Sequence, residues 1–221
     1  MTSLKRGYKL VKFKVNQRLK GVGVSDKPWF DDETLAWFEE RLPRAKSYLE
    51  FGSGGSTIMA ARLGVPTISV EGDHYFAQEV SKRLAPGHKV QVLRPPIGMT
   101  GLWGVPFPGS PTPDRVQKWR SYIDLPFEVL AKSEQEFPDL FLVDGRFRNA
   151  CALRAALEAK QAGRTAELLF DDYAAEERAT YKQTEAILGA PQRIGRSAVF
   201  AIGPDSAVTV EDVDRAIRDF K

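Results

Sequence analysis

The sequence predicts an α/β domain on a mostly parallel sheet of about seven strands, with helices on both faces. Short β-branched runs alternate with longer stretches of helical period, which is the pattern of repeated strand–helix–strand units. The length, 221 residues, suits one such domain and not two. Hydrophobic residues make up 43% of the chain, including 13 Phe and 4 Trp, enough to bury both faces of a sheet. Global disorder is excluded, and no internal repeat is present.

Each element has its own signal. Asp31 or Asp32 can cap a helix carrying Leu35, Trp37, Phe38 and Leu42, and Pro43 stands just past its end. Residues 47–51 read as the first strand and 56–63 as its helix. Residues 67–70 form the second strand, and the helix from about 74 to 84 is stopped by Pro86 and Gly87. Residues 89–93 are the third strand. Between 95 and 113 stand six prolines together with Trp103 and Phe107, so no regular element fits, and a loop this long is usually a lid or a binding segment. A helical segment follows at 114–123, with Pro126 beyond it, and 95–124 is read as an insert or lid. Residues 139–143 give the fourth strand, and Ala150, Leu153, Ala156 and Leu157 mark its helix, which Gly163 ends. Residues 167–170 are the fifth strand, 175–188 a helix, 193–202 two closing strands and 210–220 a terminal helix.

Charge narrows the partners. Lys and Arg number 32 against 29 Asp and Glu, a net +3 too balanced to imply nucleic acid. The excess sits at the N-terminus, where Lys5, Arg6, Lys9, Lys12, Lys14, Arg18 and Lys20 precede the first acid, Asp26. Residues 1–24 are read as a basic extension, either a solvated arm, a short strand or an arm touching an anionic surface, with the single domain spanning 25–221. Lysines interrupt every apolar run there, so neither a signal peptide nor a membrane span is expected, and the reading is cytoplasmic. The one cysteine, Cys151, falls on a helix as a small apolar side chain, which excludes an internal disulfide and a multi-cysteine metal cluster.

Chemistry concentrates in Tyr48-Leu-Glu-Phe-Gly-Ser-Gly-Gly-Ser-Thr57, where a strand runs through a glycine turn directly into a helix. Such a turn lets backbone approach a ligand. A dinucleotide fingerprint would require glycine at the sixth position from Gly52, and Thr57 stands there instead. An acid within the first strand followed by Gly-x-Gly resembles motif I of the class I S-adenosylmethionine-dependent methyltransferases, in Glu50, Gly52 and Gly54. The resemblance implies a Rossmann-like methyltransferase fold, with Glu50, Gly52, Ser53, Gly54, Glu71, Gly72 and Asp144 facing the cofactor. Glu71, 19 residues past Gly52, matches the acid that binds the ribose hydroxyls, and a carboxylate accepting two hydroxyl donors suits that role. The place near the adenine that often carries an acid holds Arg94-Pro95-Pro96, and Asp73 either approaches the adenosine or caps the following helix.

A second set of acids ends the fourth and fifth strands, Asp144 in one and Asp171 with Asp172 in the other. Their spacing resembles that of metal-dependent O-methyltransferases of the catechol type and of a sugar-directed group. That resemblance implies Mg²⁺ on Asp144, Asp171 and Asp172, with Asp144 and Asp171 in catalytic roles; carboxylates suit such a hard cation. The alternative is acids that cap the following helices. The sugar-directed group places a histidine base where this chain has Phe147. Trp103 and Trp119 either stack on a sugar or aromatic acceptor or are buried in a structural flap. The expected function is S-adenosylmethionine-dependent methylation of a small-molecule or carbohydrate hydroxyl. The alternative is a cofactor-binding protein of the same fold with little or no catalysis.

Overall fold

The computed structural model describes residues 23–174 and 176–220. Seven strands form one sheet: β1 (Tyr48–Phe51), β2 (Thr67–Val70), β3 (Val90–Leu93), β4 (Leu140–Val143), β5 (Ala166–Phe170), β6 (Gln192–Ile194) and β7 (Ser197–Ile202). Their order is β3-β2-β1-β4-β5-β7-β6, parallel from β3 to β5, with β7 antiparallel to both β5 and β6. The helices are α1 (Asp32–Arg41), α2 (Gly55–Leu63), α3 (His74–Lys82), α4 (Pro113–Leu130), α5 (Arg148–Ala162), α6 (Glu185–Leu188) and α7 (Val210–Ala216). The expected α/β architecture and the strand count both hold.

The period-two pleat places the helices. Leu49 and Phe51 of β1 pack with Phe141, Val143, Leu168 and Phe170 against α4 and α5, while Tyr48 joins Leu140, Leu142 and Leu169 against Phe38 of α1 and Ala60 of α2. All four residues of β1 are buried, as a central parallel strand covered on both faces requires. Cys151 is buried on α5 as expected.

Register aligns the functional end. Phe51 pairs with Val70 and Val143, Val70 with Leu93, and Val143 with Phe170. The next residues therefore stand in a row along one sheet edge: Gly52, Glu71, Asp144 and Asp171. Their amides continue the ladder, Gly52 N to Val70 O at 2.8 Å, Glu71 N to Leu93 O at 3.0 Å, Asp144 N to Phe51 O at 2.9 Å and Asp171 N to Val143 O at 3.1 Å. The strand order reverses between β1 and β4, which opens a crevice at this edge.

Two readings of the sequence need correction. Pro126 lies inside α4, because Trp119, Tyr122, Ile123, Pro126 and Phe127 form one buried helical stripe whose packing outweighs the local break. The segment from Glu176 to Thr184 is 3₁₀-helical and only Glu185–Leu188 is α-helix. The basic arm lies outside the described residues, apart from Gly23 and Val24 at its end. No helix among the described residues is long and apolar enough to cross a membrane.

Candidate functional site

The crevice is a cavity of about 590 Å³ at the C-terminal edge of the strands. Of the residues expected at the cofactor, Gly52, Ser53, Gly54, Glu71 and Asp144 line it, as do Asp171 and Asp172.

The turn after β1 is shaped by contacts only glycine permits. Gly52 has φ +107°, and a Cβ on it would lie 2.7 Å from Gly145 N and 2.9 Å from Asp144 O. At Gly55, a Cβ would meet the Lys27 carbonyl at 2.0 Å, because residues 27 and 28 cross the start of α2. Thr57 accepts from Gly54 N at 2.8 Å and donates to Glu50, so the residue that breaks the dinucleotide pattern closes this turn.

Glu50 is not on the cavity wall, and neither is Gly72. The Glu50 carboxylate is fully buried beneath the turn, where it accepts from Tyr48 Oη at 2.9 Å, Ser56 Oγ at 2.5 Å and Thr57 Oγ1. Burial raises its pKa, and the hydroxyl donors oppose that rise. The alternation of β1 explains this placement: with Leu49 and Phe51 on one face, Glu50 must point toward α2. Gly72 instead lets Ile97 approach, since a Cβ there would sit 2.6 Å from Ile97 Cδ1.

Glu71 does line the cavity. Its Oε1 accepts from Asp73 N at 2.6 Å, and its pKa is pushed up to about 7, chiefly by burial, against the pull of that amide and of Arg146. Asp73 caps α3 through Tyr75 N at 3.0 Å and Phe76 N at 3.1 Å, and also borders the cavity. Thr100 donates to Asp73 at 3.1 Å and so anchors the 94–112 insert to this edge.

At the other end Asp144, Asp171 and Asp172 converge, each with an oxygen within 4.8 Å of the others. Asp144 is not a helix cap: α5 begins after Phe147, whose φ of 56° is left-handed and which has no capping bond. Two arginines complete the cluster. Arg148 reaches Asp144 Oδ1 at 2.9 Å and Asp172 at 3.4 Å; Arg196 reaches Asp172 at 3.2 Å and Asp171 at 3.4 Å. Ser197 Oγ donates to Asp171 at 2.8 Å. The Asp144 pKa is pushed up to about 7 by burial, with Arg148 opposing and the neighbouring aspartates adding to the rise.

This donor set does not fit a divalent cation. Every carboxylate that would hold Mg²⁺ already has a guanidinium within 3.4 Å. A divalent ion would have to take these oxygens from guanidiniums that already hold them, and like unit charges 4 Å apart repel by about 4 kcal/mol in a partly buried site. The expected ligands are together, but two guanidinium charges already offset most of theirs.

The mouth carries two exposed indoles, Trp29 and Trp103, with ring centroids 6.3 Å apart. Trp103 is therefore not flap packing, whereas Trp119 is buried in the core. Phe147, which stands where the sugar-directed group has its histidine, packs against Trp119 and Tyr122. Sequence reasoning missed Trp29, Arg148 and Arg196. Arg148 had a signal in its i,i+4 spacing from Asp144. Arg196 had none, since a turn pinned to α1 brings it in, with Arg196 N bonded to Asp31 at 2.9 Å and its guanidinium to Trp29 O.

An open, mostly parallel sheet with a ligand-sized crevice at its switch point is the arrangement in which α/β proteins bind their ligands. No protein-family model matches the chain, and no curated protein does. Among solved structures, a methyltransferase-like protein (spo2022) from Silicibacter pomeroyi DSS-3 is 34% identical, with a TM-score of 0.71 over 88% of this chain and 100% of that one. Cofactor-bound Rv0187 from MTB is 17% identical, with a TM-score of 0.51 over 88% of this chain and 96% of that one, a likeness of fold. The chain belongs to the methyltransferase-like family of the first of these proteins.

Proposed function

We propose that this protein is an S-adenosylmethionine-dependent methyltransferase acting on a hydroxyl of a small-molecule acceptor. The observation that carries the reading is the row of Gly52, Glu71 and Asp144 along one cavity edge, in a chain of the methyltransferase-like family. Gly52, Ser53 and Gly54 would bring backbone against the amino-acid half of the cofactor, and the Glu71 carboxylate would accept hydrogen bonds from its ribose hydroxyls. When bound, the cofactor supplies an electrophilic methyl group for in-line displacement. The acceptor would enter beside the Trp29–Trp103 pair and meet the aspartate cluster at the far end.

Most of the rate enhancement comes from holding two reactants in line, an effect worth up to about 7–11 kcal/mol. Asp144, with a pKa near neutrality, is suited to take the hydroxyl proton as the oxygen attacks. Phe147 favours a second reading, a cofactor-binding protein with little turnover, because the buried ring removes one base from the crevice. The two separate experimentally: both bind S-adenosylhomocysteine, and only the first transfers a labelled methyl group to a hydroxylated acceptor. An Asp144→Asn variant should keep cofactor binding and lose transfer; equal transfer in the variant would remove Asp144 from the chemistry.

A further inference from the structure

We propose that Arg148, seconded by Arg196, is the built-in cation of this crevice: it holds Asp144, Asp171 and Asp172 together and leaves the site independent of divalent metal. The inference rests on the methyl-transfer reading only for its consequence in turnover.

The side chain of Arg148 is 3% exposed and fixed on several sides. Its Nε donates to Gly145 O at 3.1 Å, Nη1 to Asp171 O, and Nη2 to Asp144 O at 3.3 Å and Asp144 Oδ1 at 2.9 Å. One planar fork thus ties the end of β4 to the end of β5, and its position at the start of α5 lets no rotamer withdraw it without orphaning buried carbonyls. Its ring neighbour is Tyr181, 5.7 Å from the guanidinium carbon. Arg196 bridges Asp171 and Asp172 from the opposite side and is 42% exposed, so the cluster carries two fixed positive charges against three negative ones. Arg148 touches no reacting atom; it is a positioning residue that sets where the Asp144 carboxylate points.

The test is Mn²⁺ binding followed by electron paramagnetic resonance, with S-adenosylhomocysteine present. Wild type should take up no Mn²⁺ at the cluster, Arg148→Lys should gain far less Mn²⁺ affinity than Arg148→Met because it keeps the charge though not the fork, and Arg148→Met should gain it by roughly tenfold or more. Because breaking a buried ion pair can unfold a domain, circular dichroism checks each variant, and Arg196→Met supplies the same comparison if Arg148→Met does not fold. In wild type, chelator should leave methyl transfer unchanged, and adding Mg²⁺ should restore part of what Arg148→Met loses. Mn²⁺ uptake by wild type that Asp171→Asn abolishes would overturn the proposal, as would a folded Arg148→Met with no gain. Absence of any methyl transfer in wild type would count against the proposed function, and the Mn²⁺ comparison would still decide this one.

Discussion

Raising the pH from about 6 to about 8 should tighten S-adenosylhomocysteine binding close to tenfold, because Glu71 must be ionised to accept two ribose hydroxyls well. With a pKa of about 7, Glu71 is mostly protonated at the lower pH and mostly ionised at the higher, and the change in its ionised fraction sets the factor. Binding near neutrality should release a fraction of a proton, read by calorimetry in buffers of different ionisation enthalpy. Glu71→Gln should abolish most of the pH dependence and cost about 1.5–3 kcal/mol at the higher pH, the worth of hydrogen bonds to a charged group. Asp144 also titrates near 7, so Asp144→Asn is the control, and it should leave most of the dependence in place. Without ligand the sign reverses. A folded pKa raised above the unfolded value contributes stability that is fully present below about pH 4 and lost as pH rises through about 7. The unliganded melting temperature should therefore fall across the range in which ligand affinity rises. Flat affinity in wild type, or an unaltered slope in Glu71→Gln, would refute the assignment of Glu71 to the ribose.

Three further outcomes follow from the geometry. Gly52→Ala forces a side chain into a left-handed backbone 2.7 Å from Gly145 N, so thermal melts should show a loss of about 2–5 kcal/mol. Thr57→Val removes the hydroxyl that serves both Gly54 N and the buried Glu50, and denaturant titration should show about 1–3 kcal/mol of destabilisation. Trp103 adopts a left-handed φ of 57° while being largely exposed, so Trp103→Gly should hold or raise the melting temperature and weaken the acceptor's KM; a clear fall in stability would show that the ring packs structurally.

The strands were legible because their signal is local: β-branched runs bounded by turn residues appear within a residue or two of where the sheet places them. Glu71 and the three aspartates were equally legible, since strand ends in a parallel sheet share one edge and the spacing alone brings them together. The fate of Glu50 was harder to see. A motif read as letters puts it at the cofactor, while the pleat of β1 turns it under the loop to three hydroxyls. Pro126 misled in the same way, because a local breaking rule was overridden by a buried stripe along α4. Arg196 and Trp29 reach the crevice through a β-turn bound to the start of α1, a contact between segments more than 160 residues apart that no local pattern encodes. The charge balance of the acid cluster was hidden for the same reason: three carboxylates can be counted along the chain, but the guanidinium that Arg196 adds to them cannot.

Crystals grown with S-adenosylhomocysteine test the central claim most directly. The account predicts difference density along the edge of β1 and β2, with the ribose hydroxyls on the Glu71 carboxylate, the amino-acid moiety over Gly52–Gly54, and Arg148 still bridging Asp144 and Asp171 with no metal between them. Density elsewhere in the crevice with Glu71 uncontacted, or a cation seated among the three aspartates with Arg148 displaced, would contradict it.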